Sequence, residues 1–204
     1  AIGFRALKFN TTGSSNTAVG DLALLANTTG YDNISIGFMA LSSNTTGNSN
    51  TVVGTEALRN NITGKENTAV GGLVLNKNTA NFNTSIGYQS LNKNISGSQN
   101  VAIGGQALFN NTTAPNNTSI GYKSSFLNTT GTRNTTTGTF SMFNNDTGND
   151  NVASGYQALT SNETGSFNVA YGTQAAFFNV FGAKNVAVGY RALYNMIANS
   201  ENVA

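Results

Sequence analysis

The chain has 204 residues, and charged side chains make up only 9% of them, against roughly 25% in an average soluble domain. With no histidine, no cysteine and a formal net charge of +2, it excludes disulfide scaffolds, cysteine-ligated metals and histidine-based catalysis. The absence of a basic cluster argues against nucleic acid as a partner, and no stretch approaches the roughly 20 consecutive apolar residues of a membrane span.

At the start of the chain, Ala1-Ile2-Gly3 already falls inside the motif that fills the rest of the sequence. No signal peptide is read there, and the chain is expected to be a window of a longer fibre. The first full unit, Asn16 to Asp32, reads NTAVGDLALLANTTGYD. Its opening asparagine recurs at Asn33, Asn50, Asn67, Asn83, Asn100, Asn117, Asn134, Asn151, Asn168, Asn185 and Asn202. Every interval is 17 residues except the one from Asn67 to Asn83, which is 16. Such self-similarity outranks local propensity as a guide to fold.

A unit of this length is too short for two helices and their turn, and its Gly and Asn content disfavours helix. It matches one coil of a solenoid whose short strands stack on the coils before and after. The expected fold is therefore all-β, a parallel β-solenoid (β-roll) of about twelve 17-residue coils, one repeat array over residues 1–204 with no separate domain. At a strand spacing of ~4.8 Å the rod would be on the order of 55 to 60 Å long.

Stacking turns each repeat position into a column. Position 1 is Asn throughout and position 12 is Asn except at Met196; both read as structural ladders at corners, since a carboxamide donates and accepts at once. Position 5 is always glycine, at Gly20, Gly37, Gly54, Gly71, Gly87, Gly104, Gly121, Gly138, Gly155, Gly172 and Gly189, as a positive φ or a close approach demands. Val or Ile at position 4 and Leu at position 9 are expected to form the dry interior. The charges fall only at positions 6, 7, 10, 11, 13, 16 and 17, so positions 1–5, 8, 9, 12, 14 and 15 are expected to be sheltered. Small residues at position 3, such as Ala18, Ser35 and Ala102, are read as an outward face packing on another chain. Positions 8 and 9 fit a strand or a short helical turn equally.

Two further columns stand out. Position 6 alternates aromatic and small residues, from Phe4, Asp21, Phe38 and Thr55 through Gly72, Tyr88, Gly105 and Tyr122 to Thr173 and Tyr190, slipping phase once. Large and small side chains are expected to interleave along the rod. Position 10 becomes aromatic later, at Phe109, Phe126, Phe143, Phe177 and Tyr194, and reads as packing or as a binding stripe.

The core N-[TV]-A-[VI]-G, present at Asn100 to Gly104 and at Asn185 to Gly189, resembles the tandem repeats of phage-type tail-fibre proteins and of trimeric adhesins with heads like that of the Yersinia adhesin. The resemblance runs through the whole chain, with a period longer than that of the adhesin heads. It implies a rigid extracellular fibre at a cell or virion surface, assembled as a homotrimer, often with a separate anchor or chaperone domain.

No catalytic constellation is expected, and the chain is not read as an enzyme. Its glycines lack the G-K-[ST] of a phosphate loop and the Asp-rich turns of calcium-binding β-rolls, so no cofactor or metal is expected. Sequons at Asn27, Asn44, Asn111, Asn128 and Asn162 follow automatically from the N-x-T of the repeat, which is N-T-T at all of these but Asn162. A Thr column at position 14, including Thr12, Thr29, Thr46 and Thr113, suggests ice as a ligand. The expected function is a structural fibre or adhesin stalk that presents a binding tip or forms a filament; the alternative is a rod whose aromatic or Thr ladders bind glycans or ice. The expected partners are copies of the chain itself, laterally and end to end through unpaired solenoid edges, and cell-surface glycans.

Overall fold

The computed structural model describes residues 1–204. In each unit the β-branched stretch after the opening asparagine is the part suited to a pleated ladder, and it forms a three-residue strand. The strands are β1 Thr17–Val19, β2 Ile34–Ile36, β3 Thr51–Val53, β4 Thr68–Val70, β5 Thr84–Ile86, β6 Val101–Ile103, β7 Thr118–Ile120, β8 Thr135–Thr137, β9 Val152–Ser154, β10 Val169–Tyr171 and β11 Val186–Val188.

All eleven form one sheet in chain order. Each pairing is parallel and sets like position on like position: Ala18 faces Ser35, Ser35 faces Val52, and Ala170 faces Ala187. This is a parallel β-solenoid with about ten turns of chain between β1 and β11, and it contains no helix. Eleven copies give full strands; in the partial copies at the two ends, Ile2 and Val203 pair with Val19 and Val186 as single bridges.

The remainder of each coil is also hydrogen-bonded to its neighbours. The Leu24 N–H donates to Ala40 O (3.0 Å), the Leu22 N–H to Phe4 O (2.9 Å), and the Thr28, Thr29 and Gly30 N–H groups converge on Thr45 O (3.0 to 3.2 Å). Positions 8 and 9 are neither strand nor helix. They lie in a run of turns closed by Ala23 N–H to Gly20 O and Asn27 N–H to Leu24 O. Positions 7, 9 and 17 of every coil are left-handed, with φ between +48° and +63°. At positions 7 and 9 this sends N–H groups to opposite neighbours, position 7 to the preceding coil and position 9 to the following one, so the turn keeps the ladder running where a strand would have to bend.

The interior inverts the expected strand facing. Position 3 points inward: Ala18, Ser35, Val52, Ala69 and Ala102 are fully buried against Ala and Leu of positions 8 and 9, such as Ala23 and Leu24. Position 4 points outward, leaving Ile36, Ile86 and Val188 exposed at 39, 38 and 58%. Positions 2 and 14 are likewise on the surface, as at Thr17, Ile34, Thr29 and Thr46. The physical reason is width: a narrow coil lined by leucine and paired asparagines has room for Ala or Ser between the walls, and strand alternation then sends the branched residues outside.

The apolar core divides in two. One cluster runs from Ala18 to Leu108 and the other from Met142 to Ala187. Between them the same columns hold buried hydroxyls. Thr136 Oγ1 lies 2.9 Å from Ser119 Oγ and 3.0 Å from Ser125 Oγ.

The 16-residue unit leaves the sheet intact, since Thr68, Ala69 and Val70 still face Thr84, Ser85 and Ile86. The missing residue is taken from the corner after position 12. There Asn78 Nδ2 reaches the carbonyl of Ala80 two residues on, where Asn61 reaches Gly64 three residues on.

Candidate functional site: ladders, an uncharged strand face and aromatic columns

The position 1 asparagines are stacked one on the next. Asn33 Nδ2 and the Asn33 N–H both donate to Asn16 Oδ1, at 3.1 and 3.0 Å, and Asn50 does the same to Asn33. The backbone arm of this ladder continues through Asn67, Asn83, Asn100, Asn117, Asn134, Asn151, Asn168 and Asn185. Position 12 forms a second stack, as in Asn44 Nδ2 to Asn27 Oδ1 (2.9 Å) and Asn61 Nδ2 to Asn44 Oδ1 (2.9 Å). The two stacks meet at one acceptor per coil: Gly30 O accepts from Asn16 Nδ2 at 2.7 Å and from Asn27 Nδ2 at 2.9 Å. The interior is thus as much carboxamide as leucine, and all but two of its buried side-chain polar atoms are paired, as burial requires.

The second stack is interrupted twice. Asn61 Oδ1 and Asn179 Oδ1 are buried without a donor. Above Asn61 stands the shortened corner at Asn78, and above Asn179 stands Met196, which has no N–H in its side chain.

At position 5 the glycines have φ from +123° to +140°. A Cβ at Gly104 would sit 2.5 Å from Gly121 O, so neighbouring coils approach there at backbone contact distance.

The sequon asparagines Asn27, Asn44, Asn111, Asn128 and Asn162 are at most 1% exposed. Their Nδ2 atoms are bonded inside the coil, so the folded rod withholds these amides from modification. The position 14 threonines are exposed, but on a bend of the coil rather than on the sheet.

Positions 2 and 4 together make the outward face of the sheet. No copy places a charged residue there, although Asp, Glu, Lys and Arg occur freely at other surface positions. Val, Ile and Thr dominate the face, with Tyr171 62% exposed near its end. It was missed in the sequence because freedom from charge was equated with burial.

The aromatic columns differ in geometry. At position 10, Phe109, Phe126 and Phe143 stack with centroids 5.3 and 5.2 Å apart and interplanar angles of 9° and 6°, so their ring faces cover one another. At position 6, Tyr88 and Tyr122 lie back over the small residue of the preceding coil. A Cβ at Gly72 would be 3.5 Å from the Tyr88 ring, and one at Gly105 would be 3.4 Å from Tyr122.

Charge is sparse and local. Arg133 Nε and Nη2 donate to Asp150 Oδ1 and Oδ2 at 2.6 and 2.8 Å across one coil spacing. Those hydrogen bonds hold the Asp150 carboxyl below the usual carboxylate range and raise the Arg133 guanidinium. No three His, Cys, Asp or Glu side chains come together as a metal site would need, and no helix is long and apolar enough to cross a membrane.

No family model, characterised protein or solved structure matches the chain.

Proposed function

We propose that the chain is a structural segment of an extracellular fibre or adhesin stalk, which stiffens along its axis by coil stacking and associates laterally as a homotrimer through the strand face. The observation that carries this reading is the uninterrupted, charge-free surface of positions 2 and 4 along β1 to β11. Ten strand intervals make that face about 48 Å long. With two side chains across it, each copy offers roughly 500 Å², so three such faces meeting around a threefold axis together bury on the order of 1,500 Å², within the size range of specific assemblies. Burying Val and Ile there returns roughly 25 cal/mol for each Å² of apolar surface. A partner must also match the strand spacing over many coils, and another copy of the same face does so by construction.

The reading needs no reactive group, and the site supplies a mechanical role: two carboxamide stacks and continuous backbone ladders resist bending and shear. Sedimentation equilibrium tests it. The expected mass is that of three chains, reduced to one by the pair Ile86→Lys and Ile120→Lys, with circular dichroism unchanged. A folded wild-type chain that remains monomeric at high micromolar concentration would sink the lateral-assembly reading.

A further inference from the structure

Tyr88, Tyr122, Tyr156 and Tyr190 occupy one column at every second coil, 34 residues apart, and are exposed at 57, 48, 47 and 69%. Gly105, Thr139 and Thr173 stand between them; the Tyr122 ring lies back over Gly105, with the Phe140 ring edge-on to it at 5.6 Å. The in-register pairing of β5 through β11 keeps the column in line. Unlike the mutually stacked phenylalanines of position 10, these rings do not stack on each other.

Beside each ring lies the polar side chain of position 7. Lys123 Nζ is 5.4 Å from the Tyr122 centroid, and Arg191 Cζ is 5.2 Å from that of Tyr190. Gln106 Nε2 donates to Gln89 Oε1 and Gln174 Nε2 to Gln157 Oε1, each at 2.9 Å. The amide groups are thereby oriented, while Gln89 Nε2, Gln106 Oε1 and Gln157 Nε2 keep their remaining capacity for a ligand.

We propose that this file binds an extended β-1,4-linked polysaccharide lying along the rod axis. Two coils advance about 9.6 Å, against a two-sugar repeat of roughly 10 Å in such a chain, so each ring meets the same face of every second sugar. The accumulated mismatch over the three intervals between the four tyrosines is only about 1 Å. Pyranose rings present an apolar C–H face that packs on an aromatic ring and a rim of hydroxyls, and the amides and cations of position 7 are placed to bond that rim. A helical α-1,4-linked chain curves away and cannot meet successive rings. The proposal stands apart from lateral assembly, since it uses positions 6 and 7 and not the strand face.

The test is co-sedimentation of the full chain with cellulose and, separately, with chitin, two sources of the same linkage, and with granular starch as the α-linked control. Retention is expected on at least one β-1,4 polymer and not on starch. Tyr122→Ala with Tyr156→Ala should weaken it by about tenfold per ring, whereas Phe167→Ala, an exposed ring outside the file, should leave it unchanged. In solution, by calorimetry, a β-1,4 oligosaccharide long enough to reach two rings should bind more tightly than the disaccharide. No retention on either polymer, equal retention on starch, or retention indifferent to the two tyrosines would overturn the proposal.

Discussion

At the scale of single residues, the asparagine stacks show how much of this interior depends on one functional group being repeated. Each buried carboxamide needs a donor above and an acceptor below, so a fault in one coil appears as an orphaned atom in the next. Asn179 Oδ1 is such an atom, left without a donor because Met196 occupies the following position 12. Restoring the amide with Met196→Asn is expected to stabilise the chain by about 1 kcal/mol, the net worth of one intramolecular hydrogen bond. Denaturant titration checks this; an unchanged or lower midpoint would show that the stack does not extend to the last coil. The asparagine columns were legible from spacing because a side chain that must pair with itself cannot drift. The left-handed residues were not, because Leu22, Gln89 and Arg133 carry no compositional mark of positive φ. Their conformation comes from the coil-to-coil ladder and not from intrinsic preference.

At the scale of the coil, the close approach at position 5 decides which substitutions the stack tolerates. Gly104→Val places a branched side chain at φ +129° against the Gly121 carbonyl and is expected to cost more than about 4 kcal/mol, in the range reserved for steric failure. Lys93→Ala removes one exposed contact to Asn110 Oδ1 and one cation–ring contact to Phe109, and should cost less than about 1 kcal/mol. Thermal melts of the two variants compare them directly, and similar midpoints would contradict the stacking geometry. The strand itself was legible as a strand, but its facing was not. In a three-residue strand whose positions are all uncharged, pattern alone gives no sign of which side is wet; the volume available between the walls settles it.

For the whole molecule, the hydroxyl-lined stretch between Leu108 and Met142 matters more than any one contact. A solenoid is held together coil by coil, and its cooperativity passes through the interfaces between neighbours. Where Ser119, Ser124, Ser125 and Thr136 replace Ala and Leu in the interior, less apolar area is buried, so the coupling is weakest there. Hydrogen exchange is expected to resolve two protected blocks, Ala18 to Leu108 and Met142 to Ala187, separated by faster-exchanging amides. Replacing Ser125 by Leu together with Thr136 by Ala should merge them and raise the melting temperature, while uniform protection in the wild type would argue against the division. The repeat period announced the rod; this fault line, written in a few conservative-looking serines, emerged only once burial was known.

The alternation at position 6 also governs how such a rod can change length. A ring in one coil lies over the small residue of the coil before it, as Tyr88 over Gly72 and Tyr122 over Gly105. Unequal recombination in steps of two units therefore lengthens or shortens the gene product by about 9.6 Å with every ring still seated. A step of one unit must bring together either two rings or two small residues. The single phase slip in this chain sets Thr55 next to Gly72, the harmless one of the two outcomes.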